Sequence, residues 1–242
     1  MGHRARGGGL GRVRSLRPEE TMREPRLYSY LDERSGPLPD YLLEVERRTH
    51  LRTLQPQMLC GHMQGRFLSW LVGWLRPLVS GRPFRILEVG TFTGYSALCF
   101  AERLTPGDEV HTIEIDDERE ALIREHFALA GYDGGEGQPR LHLHVADANA
   151  LLPELPGPWD LVFLDARKDD YPTQFAAAAE RLAPGGLVLL DNVLWDGQVL
   201  DEGNRRPTVR LLRDFTLALA RNPRYETLAL PMSDGLLLVR RR

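Results

Sequence analysis

Carboxylates close several short apolar runs in this 242-residue chain, a placement that is costly for an acid with nothing to hold. Phe163-Leu164 runs into Asp165, and Leu189-Leu190 runs into Asp191-Asn192. If both runs are buried strands of one parallel sheet, their carboxyl ends open on a common crevice. Two carboxylates and an amide oxygen, with neither His nor Cys, are a donor set for a hard divalent cation such as Mg²⁺, with Ca²⁺ or Mn²⁺ as alternatives. Such an ion takes about six oxygens and leaves some positions to water or substrate. The plain alternative makes Asp191 and Asn192 only a turn cap. Lys168 follows Asp165 by three residues and is the single lysine among 31 basic residues. Arginine there would keep its proton at any working pH, whereas lysine, with a reference pKa near 10.4, can be lowered by a neighbouring cation and act as a base. Chance survival in an arginine-biased sequence is the competing account.

A second constellation lies at Leu87-Glu88-Val89-Gly90-Thr91-Phe92-Thr93-Gly94-Tyr95-Ser96. Glycines at 90 and 94 permit a tight turn from strand into helix and let a ligand approach the backbone and the free N–H groups of the helix start. Glu114 stands twenty residues after Gly94, where an acid can accept hydrogen bonds from both hydroxyls of a ribose. The spacing is E-x-G-x-x-x-G, not the G-x-G-x-x-G of a dinucleotide site. Glu88 beside the turn would repel a diphosphate but suits a ligand carrying an ammonium and a sulfonium, which favours S-adenosylmethionine over NAD. Asp147-Ala148 ends a further apolar run. Asp147 can accept from an adenine amino group or cap the helix that follows, and the sequence leaves both open.

These residues need a frame. Short apolar runs at Arg85–Val89, Val110–Ile115, Leu141–Val145, Leu161–Leu164 and Leu187–Leu190 alternate with helical patterns at Ser96–Leu104, Glu118–Ala130 and Thr173–Leu182. That alternation predicts an α/β fold, a parallel sheet covered by helices on both faces. A helix near Thr208–Ala220 leads into Tyr225–Leu230 and Leu236–Val239, joined by an Asp-Gly turn, so the last strand should run antiparallel. Before the first strand, Leu42, Leu43 and Val45, then Phe67, Leu68, Leu71, Val72 and Leu75, predict two amphipathic helices. Residues 27–80 thus read as an N-terminal helical flap and 81–242 as a Rossmann-like core, one domain in all.

Residues 1–26 hold seven arginines, three acids and a triple glycine, without the apolar stretch of a secretory signal, and read as a disordered tail. Their +4 leaves −7 of the whole-chain −3 on the remainder, an acidic body unsuited to general nucleic-acid binding. No window approaches the roughly 18 apolar residues of a membrane span. Two cysteines, Cys60 and Cys99, both within helical patterns, give no disulfide scaffold and fit a reducing cytoplasm.

With these motifs in place, the chain resembles the cation-dependent class I O-methyltransferases of small molecules, the group of the caffeoyl-CoA and catechol enzymes and their bacterial relatives. The resemblance runs from about Gln57 to the C-terminus. It rests on Glu88–Ser96, on Phe163-Leu-Asp-Ala-Arg-Lys168, and on Pro184-Gly-Gly-Leu-Val-Leu-Leu-Asp-Asn-Val-Leu-Trp-Asp-Gly197. It implies a seven-stranded sheet with the last strand antiparallel. Asp165, Asp191 and Asn192 would be the metal ligands and Lys168 the catalytic base, with Glu88, Gly90, Thr91, Ser96, Glu114, Ala148 and Asp165 contacting S-adenosylmethionine and Asp147 close by. It further implies a homodimer acting on a small phenolic substrate with vicinal hydroxyls, and no nucleic-acid or membrane partner. Arg167 departs from the pattern, which has an acid or an aromatic residue there beside the adenine. Substrate specificity is expected in the flap, Tyr171, Trp195 and the loop 197–207. Two rival readings remain, an NAD-dependent dehydrogenase and a non-catalytic ligand- or RNA-binding protein.

Overall fold

The computed structural model describes residues 25–242. The expected tail lies outside them apart from its last two residues, which open helix α1 (Pro25–Asp32). The two expected flap helices follow as α2 (Asp40–Arg52) and α3 (Gly61–Leu75). Each buries one stripe at helical spacing: Leu42, Val45 and Thr49 on α2, and Gln64, Leu68, Leu71 and Val72 on α3.

Seven strands form one sheet in the order β3-β2-β1-β4-β5-β7-β6. They are β1 (Arg85–Val89), β2 (Glu109–Glu114), β3 (Arg140–Val145), β4 (Trp159–Leu164), β5 (Leu182–Leu190), β6 (Tyr225–Leu230) and β7 (Leu236–Arg241). The first five pair in parallel; β7 lies antiparallel between β5 and β6, as the Asp-Gly turn requires. All six residues of the central β4 are buried, because helices cover both faces. Successive side chains alternate between two cores. Leu161 and Phe163 join α2, α3 and α4 (Tyr95–Ala101), while Val162 and Leu164 join α7 (Tyr171–Glu180) and α8 (Pro207–Arg221). Helix α5 (Glu120–Leu129) precedes β3, and the short α6 (Ala148–Leu151) follows it. Among the described residues no helix is long and apolar enough to cross a membrane.

Several elements differ from their expected bounds by a few residues, and one junction differs most. The helix after Thr173 stops at Glu180, and β5 starts at Leu182, five residues early. Pro184 disfavours helical backbone at Ala183, and Gly186 has Trp159 O 2.8 Å from where a Cβ would stand, so this stretch pairs with the start of β4 instead.

The strand order reverses between β1 and β4, which opens a crevice beyond their carboxyl ends. There the two chains touch. Gly90 has φ +101°, and a Cβ on it would lie 2.2 Å from the carbonyl oxygen of Asp165. Glycine is required on both counts. Gly90→Ala should therefore cost roughly 2–4 kcal/mol in urea unfolding with the m-value unchanged, strain and overpacking acting together.

Candidate active site

Parallel pairing sets Leu164 against Leu190, so the next residues, Asp165 and Asp191, emerge side by side at the sheet edge. The Asp191 amide donates back to Leu164 O at 3.0 Å. Asp191 is fully buried; its Oδ1 accepts from the Asn192 amide at 2.8 Å and its Oδ2 from Gln64 Nε2 at 2.6 Å. Asn192 takes the left-handed conformation, φ +52°, and turns the chain out of β5. Lys168, only 6% exposed, donates from Nζ to Asp165 Oδ1 at 3.0 Å and to the Tyr171 hydroxyl at 2.7 Å. That hydroxyl has Leu164 O at 2.7 Å and Asp191 O at 2.9 Å as acceptors, one at the end of each strand.

Burial pushes both carboxyls up from the usual carboxylate range, and the charge of Asp165 adds to the rise at Asp191. Lys168 opposes the shift at both, and Gln64 opposes it at Asp191. Two desolvated acids side by side, the charge of Asp165 raising Asp191, attract a cation, and an oxygen donor set of this kind fits a hard divalent ion.

These groups border a cavity of about 1250 Å³ beyond the strand ends. Gly90, Glu114, Asp147, Ala148 and Asp165 line it together with Lys168, Asp191 and Asn192, so residues from five strand ends meet on one wall. Thr91 and Ser96 line a small adjoining recess with Gly90 and Asp165. Glu88 lines neither. It is fully buried behind the turn, where it accepts a hydrogen bond from the Thr112 hydroxyl, and burial lifts its carboxyl to about 8. Glu114 accepts from the amides of Phe92 at 2.7 Å and Asp116 at 3.0 Å, which fixes the glycine turn against the end of β2. Asp147 caps α6 through the Asn149 amide at 2.8 Å while standing on the cavity wall. Arg167 is exposed and folds back on Asp170, Nε to Oδ2 2.9 Å.

Trp195, Gln198 and Arg206 also line the cavity. Tyr171 does not face it. The ring is fully buried beneath Lys168, so it bears on the lysine and not on a substrate. Gln64 escaped sequence reasoning, although an amide among the core-facing positions Leu68, Leu71 and Val72 of α3 is itself a signal.

Residues 32–242 match the O-methyltransferase family. The chain belongs to that family. It is 30% identical to caffeoyl-CoA O-methyltransferase 2 of Petunia hybrida over 98% of this chain and 99% of that protein. It is 32% identical to a catechol O-methyltransferase of Niastella koreensis over 70% and 73% of the two chains. Among solved structures, the O-methyltransferase TomG of Streptomyces achromogenes, determined with SAM, superposes with a TM-score of 0.79 at 27% identity, covering 92% of this chain and 98% of its own. The chain is thus an enzyme, an O-methyltransferase of the caffeoyl-CoA and catechol type, and its sheet is the Rossmann-like fold of S-adenosylmethionine-dependent methyltransferases. The dehydrogenase and non-catalytic readings gain no support.

Gln64→Leu should destabilise the protein by about 1–3 kcal/mol at neutral pH, because a buried carboxylate loses its donor. The Asp191 pKa is raised by folding, so its ionisation opposes the folded state. The penalty should therefore shrink as pH falls through the folded-state pKa, and a loss of stability equal at acid and neutral pH would exclude this account.

Proposed function

We propose that this O-methyltransferase moves the methyl group of S-adenosylmethionine to one hydroxyl of a small phenol with vicinal hydroxyls, using a divalent cation, Mg²⁺ first among candidates. The observation that carries the reading is the pairing of buried Asp191 with half-buried Asp165, Lys168 Nζ standing 3.0 Å from Asp165 on the cavity wall. Asp165, Asp191 and Asn192 would hold the cation. Gly90, Thr91, Ser96, Glu114, Ala148 and Asp165 would hold the donor, with Asp147 at its edge and Glu88 bracing the turn from behind. When bound, the cation supplies Lewis acidity to adjacent phenol oxygens and the donor supplies an electrophilic methyl group.

The chain's own residues do the rest. Glu114 and the glycine turn orient the donor, and the strand ends fix the acceptor in line with it. Lys168 would take the phenol proton on Nζ in its neutral amine form and become the ammonium, while the Tyr171 hydroxyl keeps that nitrogen aimed at the cavity. Because methyl transfer needs little covalent help, positioning and deprotonation carry most of the rate. Trp195, Gln198 and Arg206 would select the acceptor. Support for pairing of two copies comes from Trp70 and Trp74 on α3, whose rings meet edge to face at 5.4 Å while 54% and 63% exposed. Free Cys60 and Cys99 suit a reducing cytoplasm.

A methyl-transfer assay with labelled S-adenosylmethionine and a panel of catechols tests the reading. Turnover should vanish with EDTA and return with Mg²⁺; turnover indifferent to chelation would remove the cation from the scheme. Lys168→Arg should lower kcat by about 10²–10⁴-fold with KM little changed. An unaltered kcat would remove the base.

A further inference from the structure

At the opposite, amino end of the sheet a second group of side chains has no part in this reaction. Glu109 and His111 open β2, and His142 lies directly across from His111 on the edge strand β3. One ligand atom from each lies within 4.8 Å of the other two. A tetrahedral ion bonded at about 2.1 Å spaces its ligands roughly 3.4 Å apart, so closure needs only side-chain adjustment. His111 sits about 10 Å along β2 from Glu114, well clear of the cavity wall.

Three features distinguish the group from a chance cluster. His111 Nε2 and Glu109 Oε2 face each other at 3.4 Å, already at ligand spacing. His111 Nδ1 lies 3.1 Å from His144 Nε2, so with its proton on Nδ1 the ring is oriented by His144 and turns the Nε2 lone pair toward Glu109. His142 Nε2 is shut off from solvent with no hydrogen-bond partner among the described residues, an orphaned donor or acceptor where His142 stacks on His111 at 4.4 Å.

We propose that Glu109, His111 and His142 form a metal site for a borderline divalent ion of the Zn²⁺ class, clipping edge strand β3 to β2. Two imidazoles and a carboxylate suit Zn²⁺ and leave a fourth position to water. Arg85 is the competitor: its Nε holds Glu109 Oε2 at 2.9 Å and its Nη2 lies 3.5 Å from His111 Nε2. The same guanidinium also donates to Pro156 O at 2.6 Å and Gly157 O at 2.9 Å, and these contacts can retain it when Glu109 turns to the ion.

The test is titration of the full chain with Zn²⁺ alone as the probe, in excess Mg²⁺ and against a chromophoric chelator. One Zn²⁺ per chain should bind, His142→Gln should weaken it about tenfold or more, and Asp191→Asn should leave it unchanged. No binding, an unchanged isotherm in His142→Gln, or loss in Asp191→Asn would each overturn the site. Zn-edge X-ray absorption on the unaltered chain gives a reading that no folding defect can confuse: imidazole scattering supports the site, and a shell of oxygens alone refutes it.

Discussion

Two carboxylates set side by side, one buried and one half-buried, hold their charge more cheaply when positive charge joins them, and that constraint organises one end of this molecule. Asp165 and Asp191 emerge from adjacent buried strands, and the groups around them are those that lower the cost. Lys168 brings an ammonium, Gln64 an amide donor, and the backbone of Asn192 another. None of these cancels the combined charge of the pair, and both carboxyls remain lifted. An excess of negative charge facing a cavity is an arrangement that the proposed cation would relieve.

The sheet makes that arrangement rigid. Neighbouring parallel strands fix the two acids by register, and the Tyr171 hydroxyl spans both strand ends while supporting the lysine nitrogen. On the other side of β4, the Gly90 backbone packs so closely on Asp165 O that the glycine turn and the acid pair move as one body. The residues proposed for the donor side and the acceptor side are thereby referenced to the same few peptide units, the kind of preorganisation that transfer between two bound partners demands.

Much of this could be read from the residue order because buried parallel strands declare themselves. Arg85–Val89 stands at its expected bounds, and the acids that close the apolar runs at β4 and β5 do stand at one crevice. Long-range partners were harder. Gln64 reaches Asp191 across 127 positions, and no periodicity carries such a contact. Tyr171 looked like a substrate contact because it follows the motif, yet a helix start at Tyr171 rotates its ring under the sheet edge. The early start of β5 was hidden by Pro184 and the two glycines, residues that usually mark a turn. Asp147 had two readings in the sequence; in the fold it caps a helix and borders the cavity at once, since both places coincide at a strand's carboxyl end.

At the rim of the cavity, the Tyr28 hydroxyl of α1 meets Ser233 Oγ at 3.2 Å, joining segments 205 positions apart. Ser233 belongs to the turn before β7 and itself borders the cavity. A single exposed hydroxyl pair contributes about 0.5–1.5 kcal/mol, only a small multiple of thermal energy. Asp32 of the same helix adds a second tie, its Oδ1 2.9 Å from His62 Nδ1 on α3, so the start of the described chain is fastened to the cavity rim by side-chain contacts while the strand ends beneath are fixed by backbone register.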